Sequence, residues 1–377
     1  MGHDVPLLQA NRLWNANQPI STLPVEILAC IFEEAVADEQ DDLALSEEEW
    51  CEGQFHADEV NFTISHVCHR WRAVALATPS LWSNVCAGFN TEPNALFAVL
   101  ERSRSAPLRM SLDFFTLEDD LDDFRVAVNE AFLHVGHTRT LKIRFDPESF
   151  DLIVWPERPT PVEHLVMCRD DVENPGYRGV PLHLDLSETY PQLCTFSGYY
   201  FQNVADWTFP SRLTKLCLFE CKFVSTKLGQ FLQILGSLES LQDLKLSYIA
   251  TTDYIVSPAP DCPLTSLPNL CSLVLESEDR WTFLSILSHL SLPRSLQTLR
   301  LLVEDDLTAA DLFDRCIKVA LQTIRSSFPP LTQARLSSSG PESHGLVIVE
   351  VEAKFYAENC ERVRVQIHPL HTTNSRH

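Results

Sequence analysis

The sequence predicts an α/β solenoid, with parallel strands inside and helices outside, behind a short helical N-terminal domain. Three observations predict it. A phrase of the form L-x-x-L-x-L recurs along the middle of the 377-residue chain. Successive copies lie 20 to 31 residues apart, the length of one strand and one return segment. Apolar residues at helical spacing fill the stretches between copies, so each strand has a partner to cover its leucines.

From the N-terminus, residues 1–19 read as a tail. They hold no basic segment followed by an apolar run, so they are not a signal peptide. Pro6 stands where a myristoylation site needs Ser or Thr. No run approaches the ~20 apolar residues of a membrane span. Twelve scattered cysteines form no C-x-x-C pair and read as reduced thiols, which places the chain in the cytoplasm or nucleus. The formal charge, 29 − 52 = −23, opposes binding to nucleic acid and to anionic membranes. The expected partners are therefore proteins.

Residues 20–86 read as a helical domain. In "STLPVEILACIFEEAV" (21–36), Pro24 suits a first turn and Glu26 suits the positive end of the helix dipole. Ile27, Leu28, Ile31, Phe32 and Ala35 supply the apolar stripe. The spacing predicts a second helix over 64–75, with Ile64, Val67, Cys68, Trp71, Val74 and Ala75 on one face. On such a helix His66 and His69 point away from Cys68, so the three do not converge as zinc ligands must. No metal is expected. "TPSLW" (78–82) breaks the chain at Pro79 and restarts it with Leu81 and Trp82. Three short helices this rich in large apolar residues cannot bury all their surface on one another, so part of it must face a partner or the following domain.

The series Leu23-Pro24-x-Glu26-Ile27-Leu28-x-x-Ile31-Phe32, Val67-Cys68-x-x-Trp71 and Pro79-x-Leu81-Trp82 resembles an F-box. That is the three-helix motif by which substrate receptors attach to the Skp adaptor, and through it a cullin, in Skp–cullin–F-box ubiquitin ligases. The resemblance implies that Leu23, Pro24, Ile27, Leu28, Ile31, Phe32, Val67, Cys68, Trp71, Leu81 and Trp82 divide between a small core and an adaptor-facing surface. The resemblance further suggests the expanded F-box families of mushroom-forming fungi, which pair a degenerate motif with irregular repeats. One departure is the interval from Leu23 to Trp71, which is wider than the family's. The surplus, an insertion at 37–60, carries ten acidic residues between Asp38 and Glu59 and no Lys or Arg. It reads as a solvated insertion or as an acidic arm for a basic partner, with Ser46 as a phosphorylation candidate.

A linking helix is expected within 87–106 ("PNALFAVLERS", 93–103), followed by repeats over 107–330. Clear copies lie at 213–221, 241–249, 270–278 and 296–304, and looser ones at 107–114, 138–146, 162–170 and 193–199. Their second leucine-type positions are Leu141, Leu165, Phe196, Leu216, Leu244, Leu273 and Leu299, at intervals of 24, 31, 20, 28, 29 and 26. Those intervals lie in and just above the range of leucine-rich repeats. Helices are expected over 122–135, 227–238, 281–290 and 311–324. Residues 331–370 read as closing strands or a cap, and 371–377 as a tail.

In such an arc the residues between leucines face the concave side. Lys142, Lys245 and Arg300 follow the second leucine position, and Arg144 and Lys215 stand beside that column. They suit an acidic or phosphorylated target peptide. They equally suit an ordinary solvated face, its charges paired with Asp146, Glu220 and Glu276. The leading reading is a non-enzymatic substrate receptor, and the alternative is a repeat scaffold outside any ubiquitin ligase. The chain has no G-x-S-x-G, P-loop, dinucleotide fingerprint or H-E-x-x-H, and only 11 glycines. No catalytic residue and no cofactor are expected.

Overall fold

A computed structural model gives the structure of the chain. It describes residues 4–42, 60–88, 91–114, 126, 129–145, 158–169, 184–251, 264–277, 280–293, 295–305, 347–356 and 359–369. The protein is an α/β fold in which parallel strands are accompanied by helices, and it divides into two compact units, Met1–Val162 and Glu163–His377.

The first unit begins with helix α1 (Asp4–Ala16), where the sequence reads as a tail, and a 3-10 turn at Pro19–Thr22. Helix α2 (Val25–Asp42) runs past the expected end at residue 36 into the acidic segment. The rest of that insertion, 43–59, lies outside the described residues. The helix expected over 64–75 is two helices, α3 (Val60–Val67) and α4 (His69–Ala77). Cys68 breaks it, with φ −157° and ψ 169°, and its carbonyl accepts the first bond of α4 from Arg72 N at 2.9 Å. The break resets the helical phase, so the six apolar residues do not share one face.

A second 3-10 turn, Pro79–Trp82, closes the helical group. Its Trp82 is fully buried, donates Nε1–H to Ala75 O at 2.9 Å and meets Phe62 edge-on at 5.5 Å. The Arg102 guanidinium covers the indole at 4.5 Å, a cation–π contact. Asn61 is buried and donates to Leu81 O. The chain then forms β1 (Asn84–Ala87), α5 (Pro93–Ser103), β2 (Leu108–Asp113) and β3 (Thr138–Phe145). The strands pair in parallel in the order β1-β2-β3. Of the helix expected over 122–135, residues 129–133 are described and helical.

The second unit carries one main sheet and two short pairs. Its strands are β4 (His164–Arg169), β5 (Thr195–Tyr199), β6 (Lys215–Phe219), β7 (Lys222–Phe223), β8 (Asp243–Ser247), β9 (Ala250–Thr251), β10 (Thr265–Ser266), β11 (Ser272–Ser277), β12 (Leu290–Ser291), β13 (Thr298–Asp305), β14 (Val347–Tyr356) and β15 (Asn359–Pro369). Helix α6 (Leu228–Ser237) precedes β8, and α7 (Arg280–His289) follows β11. The main sheet runs β4-β5-β6-β8-β11-β13-β14-β15. The first six strands are parallel and the last two antiparallel. The helix expected over 311–324 lies outside the described residues.

Leu165, Phe196, Leu216, Leu244, Leu273 and Leu299 are register partners across six strands, the column that the leucine spacing predicts. All six are buried, because their side is covered by the return segments: Phe196 lies 5.6 Å from Trp207 and 5.5 Å from Phe209. Gly198, one residue pair along, leaves room for the Phe196 ring; a Cβ there would stand 2.9 Å from Phe196 Cε1.

Each repeat is joined to the next in the same way. The carbonyl just before a strand accepts two N–H groups from the following repeat. Glu163 O takes Cys194 N and Thr195 N at 2.8 and 3.0 Å, and Cys194 O takes Thr214 N and Lys215 N at 2.8 and 3.1 Å. Thr214, Gln242 and Cys271 carbonyls repeat the pattern. After the strands, Tyr200, Glu220 and Tyr248 adopt left-handed φ of 64°, 48° and 54°, and each donates its N–H to the next strand's last residues at 2.8 to 2.9 Å. These are costly positions for residues with a Cβ. The rings of Tyr199, Tyr200 and Tyr248 pack on Phe219 at 5.3 to 5.9 Å, which offsets the strain.

Candidate functional site

Helix α2 has two apolar stripes side by side. Leu28, Phe32 and Val36 recur at i, i+4 and i+8 and form the inner one; Leu28 and Phe32 are 0% and 1% exposed. Phe32 meets Trp71 of α4 with ring centroids 4.9 Å apart. One position earlier, about 100° round the helix, Ile27 and Ile31 make an outer stripe, with Pro24 exposed just ahead of the helix. Ile27 and Ile31 remain 48% and 43% exposed. Val25 and Val67 are each about half exposed as well.

The phase change at Cys68 explains Val67. Helix α3 buries Asn61, Ile64 and Ser65 and leaves Val67 on the outside at its last turn. Helix α4 buries Val74 and Ala75, with Trp71 half-buried between core and surface. The residues of the sequence motif therefore separate cleanly. Leu28, Phe32, Leu81 and Trp82 are core; Pro24, Ile27, Ile31 and Val67 are surface; Leu23, Cys68 and Trp71 are half-buried at the boundary.

Arg70 fixes the start of this face. Its guanidinium donates to the carbonyls of Ser21 and Leu23, which joins α4 to the turn ahead of α2. Ser80 Oγ donates to the Glu33 carboxylate from the second 3-10 turn. The face is thus held by polar ties at its edge and by Phe32–Trp71 beneath it. It presents Pro24, Val25, Ile27, Ile31 and Val67 to solvent beside the exposed Glu26, Cys30 and Glu34, an apolar patch with a polar rim that suits docking to a protein surface. Among the described residues, no group of three His, Cys, Asp or Glu is placed to hold a metal ion.

The basic residues that the sequence singles out fall on both units. Lys142 and Arg144 are on β3 of the first; Arg144 is buried, 3.6 Å from Asp113. Lys215, Lys245 and Arg300 share the main sheet of the second, on the side away from Phe196 and Trp207. Lys215 is exposed and is the register partner of Asp243. Arg300 stands 3.5 Å from Glu276, which is buried. Asp146 lies outside the described residues.

No family model matches the chain, and no curated protein matches it. Among the described helices, none is long and apolar enough to cross a membrane.

Proposed function

We propose that this protein is the substrate receptor of a Skp–cullin–F-box ubiquitin ligase, with residues 20–86 as an F-box and the strands from β2 onward as an irregular leucine-rich-repeat arc. The observation that carries the proposal is the paired stripe of α2. The inner stripe saturates the core, and the outer stripe leaves isoleucines exposed at motif positions that the F-box resemblance assigns to the core or to the adaptor surface. A monomer has no use for two large β-branched residues in water on one helical face, and a docking partner gives them one.

The receptor performs no covalent chemistry itself. It binds the adaptor at one unit and a target at the other, so that a ubiquitin-charged enzyme brought by the cullin meets the target at high effective concentration. The in-register leucine column supports the repeat reading, and the face carrying Lys215, Lys245 and Arg300 is the proposed target surface. An acidic or phosphorylated peptide fits those cations.

The test is coexpression of the full chain with a Skp-type adaptor. The expected result is a stoichiometric complex on size exclusion, lost in an Ile27→Asp/Ile31→Asp variant whose circular dichroism matches wild type. Equal capture of that variant would show that the face is not the docking site. A folded wild type that ignores the adaptor would leave a leucine-rich-repeat scaffold outside ubiquitin transfer.

A further inference from the structure

We infer that α1 belongs to the docking face: Leu13 and Trp14 form an outer anchor that seats on the same Skp-type adaptor as Ile27 and Ile31. The inference rests on the docking reading above and extends it to a segment outside the motif. Leu13 and Trp14 are 67% and 71% exposed, more than Val25, Ile27, Ile31 or Val67. Scattered single apolar residues on a surface need no explanation, but an exposed Trp beside a second large apolar residue is different, because Trp is among the residues that most often anchor interfaces.

Their placement relative to the motif is fixed rather than trailing. Asn17 N and Gln18 Nε2 both donate to Trp14 O, at 3.1 and 3.2 Å. Ser21 Oγ donates to Asn15 O at 2.6 Å, which folds the turn back onto the end of α1. Arg70 then clamps Ser21 O and Leu23 O from α4. The end of α1 is therefore tied through this turn to the start of α2 and to α4.

Area favours the same occupant. Val25, Ile27, Ile31 and Val67 together expose roughly 350 Å², short of the ~450–520 Å² of apolar surface within the ~800 Å² that a stable interface covers per partner. Leu13 and Trp14 add roughly 300 Å² more, which brings the apolar surface past that requirement. The partner surface must accordingly extend its apolar groove past the end of α2 to meet an indole.

The experiment measures adaptor affinity for the full-length wild type, a Leu13→Ala/Trp14→Ala variant and a Trp14→Phe variant, with thermal melts of each. The expected result is an unchanged melt and a Kd raised about 10- to 100-fold in the double variant, with Trp14→Phe close to wild type. Acrylamide quenching gives an independent reading. Free wild type should show a larger accessible tryptophan fraction than Trp14→Phe, and the adaptor should remove that difference. Capture of the double variant within threefold of wild type, or a Trp14 still quenched in the complex, places α1 off the interface and leaves the Ile27–Ile31 reading intact. No capture of wild type overturns both. Concentration-dependent self-association lost in the double variant assigns the anchor to a second copy of this chain and overturns the inference.

Discussion

Two neighbouring residues of α2, Ile31 and Phe32, should fail in different assays when truncated. Ile31 and Ile27 each expose roughly 80–90 Å², so covering them contributes about 2 kcal/mol apiece, of which alanine keeps about a third. The Ile27→Ala/Ile31→Ala pair should then lose about 2–3 kcal/mol of binding, a rise in Kd of about 30- to 150-fold. Folding stability should move by less than about 0.5 kcal/mol per site, as for ordinary surface changes. Phe32→Ala removes a ring that is 1% exposed and packed 4.9 Å from Trp71, and should lower unfolding free energy by about 3–5 kcal/mol. Titration calorimetry against the adaptor reads the first effect, and urea unfolding followed by circular dichroism reads the second. The reasoning is refuted if the Ile27→Ala/Ile31→Ala variant binds within threefold of wild type. It is equally refuted if that variant loses more than about 2 kcal/mol of stability, because the outer stripe would then be core.

Three further outcomes are expected. Gly198→Ala should cost about 1–3 kcal/mol by unfolding, since the new methyl would stand 2.9 Å from Phe196, itself wedged against Trp207 and Phe209; an unchanged melt would show that the ring can move. Burial, and then the charge of His134, hold the His137 imidazole below its ordinary 6.5, so the folded state favours the neutral ring. Its contribution is complete above about pH 6.5 and is lost as pH falls through the lower folded value; His137→Gln should flatten that part of the melting-temperature profile, and an identical slope would exclude the effect. Among the thiols, burial pushes Cys221 up to about 12, whereas Cys30 of α2 is exposed. Iodoacetamide at about pH 8 should label Cys30 and spare Cys221, and bound adaptor should slow labelling of Cys30; rapid loss of the Cys221 thiol would contradict its burial.

The leucine column was legible because each copy of the phrase places its leucines on one side of a strand and the intervals absorb the variable return segments. The strands β2 to β6, β8 and β11 fall within predicted copies, and β13 overruns its copy by one residue, Asp305. Strand β1 was not, because Asn84–Ala87 is four residues with no phrase around them. The helix break at Cys68 was hidden for a different reason. No Gly or Pro marks it, and the apolar spacing runs through it unbroken, so periodicity alone joins α3 to α4. Helix α1 reads as tail because Leu13 and Trp14 have no covered face from which a pattern could arise. Within α2 the sequence shows one wide apolar arc, and only burial separates Leu28 and Phe32 from Ile27 and Ile31. The basic column was legible as positions, and Glu276 as one of its counter-charges, which Arg300 meets. The Arg144–Asp113 pair was not, because it depends on which strands lie side by side.

The twin acceptor ahead of each strand has an evolutionary consequence. Because Cys194 O and Thr214 O present the same pair of bonds to whatever follows, one unit can be excised without shifting the others. Deleting residues 214–241 would join Leu213 to Gln242, keep the L-x-x-L phrase, and bring Gln242 N and Asp243 N to the carbonyl of Cys194. Lineages could therefore gain or lose units, and so lengthen or shorten the proposed target surface, while every surviving strand keeps its leucine on the covered side.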